Sequence, residues 1–243
     1  MKKEELIFDE NYIGTLTAQR VSKFYGDAAE IKALDEVSIQ LFTGQFVVIL
    51  GASGSGKSTL LNLIGGMDTV SDGTINIAGV DITGLSEKMF AKYRREVVGF
   101  IFQFYNLMPN LTALENVELS ELPGGMKAEE ALEKVGLSER KNNFPSEMSG
   151  GEQQRVSIAR AIVKNPKVLL CDEPTGALDS KTGKMIIQLL MDINKNKDKI
   201  VVVVTHNAAI AEVADRVIKL SDGKIVRDIT QKNPKQLSEI DLW

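Results

Sequence analysis

The sequence predicts an α/β fold. A mostly parallel sheet with flanking helices is preceded by an antiparallel β part and interrupted by an inserted helical subdomain. Three observations carry this. The runs FVVIL, VLLC and IVVVV are short, continuous and rich in β-branched residues, as fully buried strands are. After Ser149 such runs alternate with helical segments, which implies crossover connections and parallel pairing. Between them, residues 104–147 lose the strand pattern.

The elements follow in order. LTAQRVSKFYG and KALDEVSIQLF alternate roughly and read as strands, and Gly44 makes the turn into FVVIL. A helix is expected from about Lys57 to Gly65. GTINIAGVDI reads as a hairpin with Gly79 near its turn, EKMFAKYRREV as a helix and VGFIFQ as a strand. TALENVEL and KAEEALEKVGL have helical spacing on either side of a PGG breaker. Then come SGGEQQRVSIARAIVKN (helix), KVLLCDE (strand), SKTGKMIIQLLMDINKN (helix), KIVVVVT (strand) and NAAIAEVAD (helix). RVIKLSDGKIVRDI closes as a hairpin turning at Asp222-Gly223. This gives one domain over 14–230, with a helical subdomain at about 104–165. The tail, 231–243, is polar until IDLW and receives no element.

Composition narrows the class. Lys and Arg number 29 against 33 Asp and Glu, a net charge of −4. The overall basic footprint of a nucleic-acid binder is absent, so no nucleic-acid partner is expected. The single cysteine, Cys171, lies in an apolar run and reads as a core thiol. No apolar stretch approaches membrane-spanning length, and the start, MKKEELIFDENYIG, lacks the apolar core of a signal peptide. A soluble, cytoplasmic chain is the expectation, with any membrane role supplied by a partner.

GASGSGKST, Gly51–Thr59, matches G-x-x-x-x-G-K-[ST] with a buried strand before it and a helix after. A glycine-rich turn with a chance lysine would not need that context. This is the signature of a P-loop NTPase core. The backbone N–H groups of Gly51, Ser53, Gly54, Ser55, Gly56 and Thr59 form a phosphate cradle. Lys57 reaches the β- and γ-phosphates, and the Ser58 hydroxyl ligates Mg²⁺. VLLCDEPT places Asp172, a Mg²⁺ partner, and Glu173, a candidate general base, at the end of a buried strand. The only histidine, His206, follows IVVVVT at another strand end, where it can donate to a γ-phosphate oxygen. Gln103 follows VGFIF, where its amide could meet Mg²⁺ or the attacking water; a plain polar turn is the alternative. Tyr25 could stack on adenine or be an ordinary strand tyrosine. NKNKDK fails the spacing of a guanine-reading element, which favours adenine. A second candidate cradle stands at Ser149, Gly150 and Gly151, where a hydroxyl and two glycines open a helix.

In this order the motifs resemble those of the ATP-binding-cassette (ABC) ATPases, from Tyr25 to Gly223. MSGGEQQR is similar to that family's Leu-Ser-Gly-Gly-Gln signature, with Met148 and Glu152 as departures, and ALDS to its D-loop. The resemblance implies ATP and Mg²⁺ as cofactors, Tyr25 as the adenine-stacking ring, Gln103 as sensor, Glu173 as base and His206 as switch. It implies head-to-tail pairing with a second cassette, the P-loop of one and the signature of the other sharing each ATP, with Asp179 near the opposite site. Both halves look competent, which favours a homodimer. NLMPNLTALENVEL and PTGALDSKTG resemble the macrolide-export and lipoprotein-release class, whose members drive a transmembrane permease. That implies an ATPase peripheral at the inner face of the cell membrane, exporting or transmitting force for peptides, antibiotics or lipoproteins. ELSELPGGMKAEEAL is shorter than the family's usual segment there. A soluble ABC ATPase of cofactor assembly, without a membrane partner, is the alternative.

Overall fold

The computed structural model describes residues 14–26, 31–195 and 198–241. The expectation about a leader and the final two residues of the tail lie outside them. The antiparallel part is built from β1 (Thr15–Tyr25) and β2 (Ile31–Phe42). Next come β3 (Phe46–Leu50), α1 (Lys57–Ile64), β4 (Asp72–Ile77), β5 (Val80–Asp81), α2 (Glu87–Glu96) and β6 (Val98–Ile101). The inserted region holds α3 (Ala113–Glu118) and α4 (Ala128–Lys134), followed by two single 3₁₀ turns. The chain then runs through α5 (Gly150–Ile162), β7 (Val168–Asp172), α6 (Ser180–Ile193), β8 (Ile200–Thr205), α7 (Ala208–Ala211), β9 (Arg216–Ser221) and β10 (Lys224–Thr230).

Two sheets result. One is antiparallel, in the order β2-β1-β4-β5; the other runs β10-β9-β3-β8-β7-β6, parallel except for the β9–β10 hairpin. That hairpin turns at Asp222 and Gly223, both with positive φ (48° and 73°), the backbone a tight two-residue turn demands.

The strand period of two assigns the buried runs to two faces. Val47, Ile49, Leu170, Val202 and Val204 point into a core shared with α1, α2 and the antiparallel sheet. Phe46, Val48, Leu169, Cys171, Val201 and Val203 point into the opposite core, with α5 and α6. All six residues of β8 are buried, which is why its sequence shows no alternation. The inserted helices contribute Ala113, Val117, Ala131 and Leu132 to the second core, so this subdomain shares its apolar interior with the sheet.

Register decides where function can sit. Leu50 pairs with Thr205, Asp172 with Val204 and Ile101 with Cys171. The carboxyl ends of β3, β6, β7 and β8 therefore align at one edge, and the loops leaving them converge there.

Two elements differ from the sequence expectation. NAAIAEVAD forms helix only over Ala208–Ala211. The chain must bend there so that Asp215 can join the sheet, where its N–H donates to the Phe46 carbonyl and its Oδ2 accepts from the Phe46 N–H at 2.7 Å. The Gln231 amide donates to the carbonyls of Ala211 and Ala214 at 2.6 and 2.7 Å. The tail also docks: Leu237 and Ile240 are buried in the second core, so packing continues past residue 230.

Cys171 is fully buried, and burial together with the adjacent Asp172 charge pushes its thiol well above the usual range. The native protein is expected to resist iodoacetamide at neutral pH and to be alkylated in denaturant. Mass spectrometry of the intact chain checks this, and rapid native alkylation would contradict the burial.

Candidate functional site

The converging loops enclose an open cleft of about 660 Å³, lined by Ser53, Gly54, Gly56, Lys57, Ser58, Thr59, Gln103, Asp172, Glu173 and His206, with Ile31, Lys32 and Ala33 at its side. Residues from five separate stretches of sequence thus meet in one place, of a size that suits a nucleotide.

The P-loop is the most constrained part. Gly56 has φ +97°, and a Cβ there would lie 2.4 Å from the Ala33 carbonyl oxygen, so only glycine fits. At Gly54 a Cβ would meet nothing within 4 Å, and that open side faces the cleft. Lys57 is 7% exposed, and its Nζ donates to the Ala52 carbonyl at 2.8 Å, which folds the lysine back over its own loop. Behind the loop runs α1, whose first N–H groups have no intrahelical partner.

Ser58 Oγ donates to Asp172 Oδ1 at 3.1 Å. Burial raises the Asp172 pKa and the neighbouring Glu173 charge adds to it; the Ser58 hydrogen bond and Lys57 oppose. A divalent cation here would offset the cost of keeping that carboxylate ionised. Two hard oxygens side by side fit Mg²⁺, which takes one or two protein ligands and completes its shell with phosphate oxygens and water. Among the described residues no group of three His, Cys, Asp or Glu could form an all-protein cage.

Glu173 is held at both oxygens. Oε2 accepts from Thr205 Oγ1 at 2.9 Å, and Oε1 lies 2.9 Å from His206 Nδ1. Its backbone has φ +47°, and its N–H donates to the Val204 carbonyl at 2.9 Å. The result is a fixed carboxylate beside an exposed imidazole, an arrangement that can orient and deprotonate a water.

The second cradle does not line this cleft. Ser149 caps α5 in a reciprocal box: its Oγ accepts from the Glu152 N–H at 3.3 Å, while its own N–H and Oγ donate to Glu152 Oε2, each at 2.8 Å. These bonds hold the Glu152 carboxyl below its usual range, and Arg140 Nε lies 3.3 Å from Oε1. Gly151 is buried, and a Cβ there would meet Thr182 Cγ2 at 2.4 Å. Its bareness therefore lets α5 pack closely on α6. Gly150, by contrast, is half-buried. Asp179 caps α6, accepting from the Thr182 N–H at 3.0 Å and hydroxyl at 2.6 Å.

Tyr25 ends β1, partly exposed, and its hydroxyl donates to Asp68 Oδ2 at 2.7 Å. Sequence reading missed Asp68, Thr205, Glu152 as a cap and Arg140. A small signal existed for Thr205, which ends the same strand that presents His206. None existed for Asp68, which stands 43 residues from Tyr25.

A family model described as ABC transporter matches residues 34–176. The chain is 47% identical over 202 residues to MG467 of Mycoplasma genitalium, named as an ABC transporter ATP-binding protein, covering 81% of this chain and 65% of that one. It is 41% identical to the macrolide export ATP-binding/permease protein MacB of Shigella flexneri, over 88% of this chain and 33% of MacB. The chain thus spans about two thirds and one third of these two relatives. A solved structure, the dimeric post-hydrolysis state of the ATP-binding cassette MJ0796 bound to ADP and Pi, superposes with a TM-score of 0.82. It is 43% identical and covers 90% of this chain and 99% of that one. The chain belongs to the ABC transporter family.

Proposed function

We propose that this chain is the ATP-hydrolysing subunit of a membrane machine, working as a head-to-tail pair of cassettes around two ATP. One observation carries the reading: the helix start at Ser149, the second candidate cradle, does not line the cleft formed by the P-loop. A second copy, placing its Ser149 over this cleft, gives both cradles the same ligand.

In this reading Gly54, Gly56 and Lys57 bind the phosphates, and Ser58, Asp172 and Gln103 would hold Mg²⁺, which would supply charge neutralisation at the phosphate oxygens. Glu173 takes the proton of the attacking water, with Thr205 and His206 fixing its direction. Water adds to the γ-phosphorus and the bond to the ADP oxygen breaks. Ser149 and the first N–H groups of α5 gain their ligand only while a γ-phosphate bridges the pair. ATP therefore binds the closed pair more tightly than the separate chains, and that difference drives closure. Asp179 stands at the cap of α6, beside the signature helix, and completes the opposite site.

No helix among the described residues is long and apolar enough to cross a membrane. The membrane enters through a permease, and the chain sits peripherally at the inner face. The inserted region offers a face for it: Phe104, Met108 and Leu119 are exposed. The same stretches border a groove of about 420 Å³ lined by Met67, Arg94, Arg160 and Lys164. Relatives named for macrolide and pyoverdine export support an export or force-transmitting role.

Ser149→Arg tests the shared site. The variant is expected to bind ATP as a monomer like the parent chain and to lose ATP-driven dimerisation, read by sedimentation. Loss of ATP binding in the isolated monomer would mean that the signature acts within its own chain.

A further inference from the structure

We infer that Asp68, in the turn after α1, is a positioning residue for the nucleotide base, locking the Tyr25 ring in the orientation in which it stacks. The inference rests on the reading of Tyr25 as the ring that meets adenine, and goes beyond it by naming what holds that ring.

The geometry is a closed clamp. Tyr25 Oη donates to Asp68 Oδ2 at 2.7 Å. Lys23 Nζ donates to the other oxygen, Oδ1, at 2.6 Å, and to the Thr69 carbonyl at 2.7 Å. The Thr69 N–H also donates to Oδ1, at 2.7 Å. Lys23 and Tyr25 are two apart on β1 and so share a face of the strand. The Lys23 ammonium lies 5.0 Å from the centroid of the Tyr25 ring. One face of the ring is thus beside a cation and its polar edge is tied down. A base has the remaining face to stack on.

Each partner is committed. Lys23 is 8% exposed, so its charge needs the carboxylate. Burial works against the Asp68 charge, but the Lys23 and Tyr25 hydrogen bonds outweigh it and hold the carboxyl below its usual range. Burial and Asp68 keep the Tyr25 phenol above its usual range, hence protonated and donating. Tyr25 itself is 38% exposed, at a strand end, where an untied ring would rotate freely. Asp68 stands only a turn beyond α1, the helix that opens at the phosphate-binding Lys57. The clamp therefore fixes the base end of the site to the phosphate end. Ordering the ring before binding removes a cost that the ligand would otherwise bear.

The test compares two ligands with Mg²⁺ present, ATP and inorganic tripolyphosphate, which has no base. Asp68→Asn is expected to raise Kd and KM for ATP about two- to tenfold, the factor that ordering one side chain is worth. Tripolyphosphate affinity and kcat at saturating ATP are expected to hold. Tyr25→Phe removes the phenol's bonds to Asp68 and to the Thr59 hydroxyl and leaves the Lys23–Asp68 pair, so it keeps the test open if Asp68→Asn folds poorly. It is expected to show the same selective loss. In a Tyr25→Ala background, Asp68→Asn should add nothing for ATP. Equal weakening of both ligands, no loss of ATP affinity in Tyr25→Phe, or full additivity with Tyr25→Ala would each overturn the role of Asp68. If Tyr25→Ala itself left the ratio of ATP to tripolyphosphate affinity unchanged, the stacking role of Tyr25 would fall, and Asp68 with it.

Discussion

Glu173→Gln is expected to slow ATP hydrolysis by about 10²- to 10⁴-fold, the range a positioned general base contributes. The substitution keeps shape and most of the bonding. Glutamine still offers an oxygen to Thr205 Oγ1, now 2.9 Å from Oε2, and an amide to the His206 ring, 2.9 Å from Oε1. Only basicity is lost. The proposed nucleotide-binding residues Lys57, Gly54 and Gly56 line the same cleft and are left unchanged. The ATP-bound pair should therefore accumulate, because the event that reopens it has been slowed. Single-turnover phosphate release and gel filtration with ATP read the two effects separately. Wild-type turnover in the variant would remove Glu173 as the base.

Lys57→Ala is expected to weaken ATP binding by at least about 2 kcal/mol, roughly thirtyfold, as loss of one desolvated charge partner typically does. The lysine is nearly buried, within the same cleft as Asp172 and Glu173. Without it, the phosphates would face two carboxylates with the loop's own buried cation gone. The fold should survive, since among the described residues Nζ bonds only the Ala52 carbonyl. Calorimetric titration with ATP and Mg²⁺ checks it, and an unchanged affinity would contradict the role of the loop.

Much of this was legible because the signals are local. FVVIL, VLLC and IVVVV are buried on both faces, and a strand of that kind announces itself by composition alone. GASGSGKST could be placed because a strand precedes it and a helix follows, and its residues do line one cleft with Gln103, Glu173 and His206. What stayed hidden depends on distant partners. The short α7 ends where the sheet demands Asp215, and no local preference encodes that demand. Leu237 and Ile240 look like apolar residues in a polar tail until the core receives them. Asp68 meets Lys23 and Tyr25 only because β1 crosses beside the end of α1. Gly151 reads as part of a phosphate cradle, but its contact with Thr182 shows a packing duty as well.

The backbone at the proposed base sets a limit on how this protein can be improved. Glu173 sits at φ +47°, a conformation that a side chain resists and that glycine adopts freely. The native state carries that strain, on the order of 1 kcal/mol, for the sake of where the carboxylate points. Glycine at residue 173 would relieve that strain, but it would drop the carboxylate that accepts from the buried Thr205 hydroxyl, and with it the group proposed to accept the proton from water. At this position relief of backbone strain and the proposed turnover are opposed, so a hardier version gains its stability elsewhere in the chain.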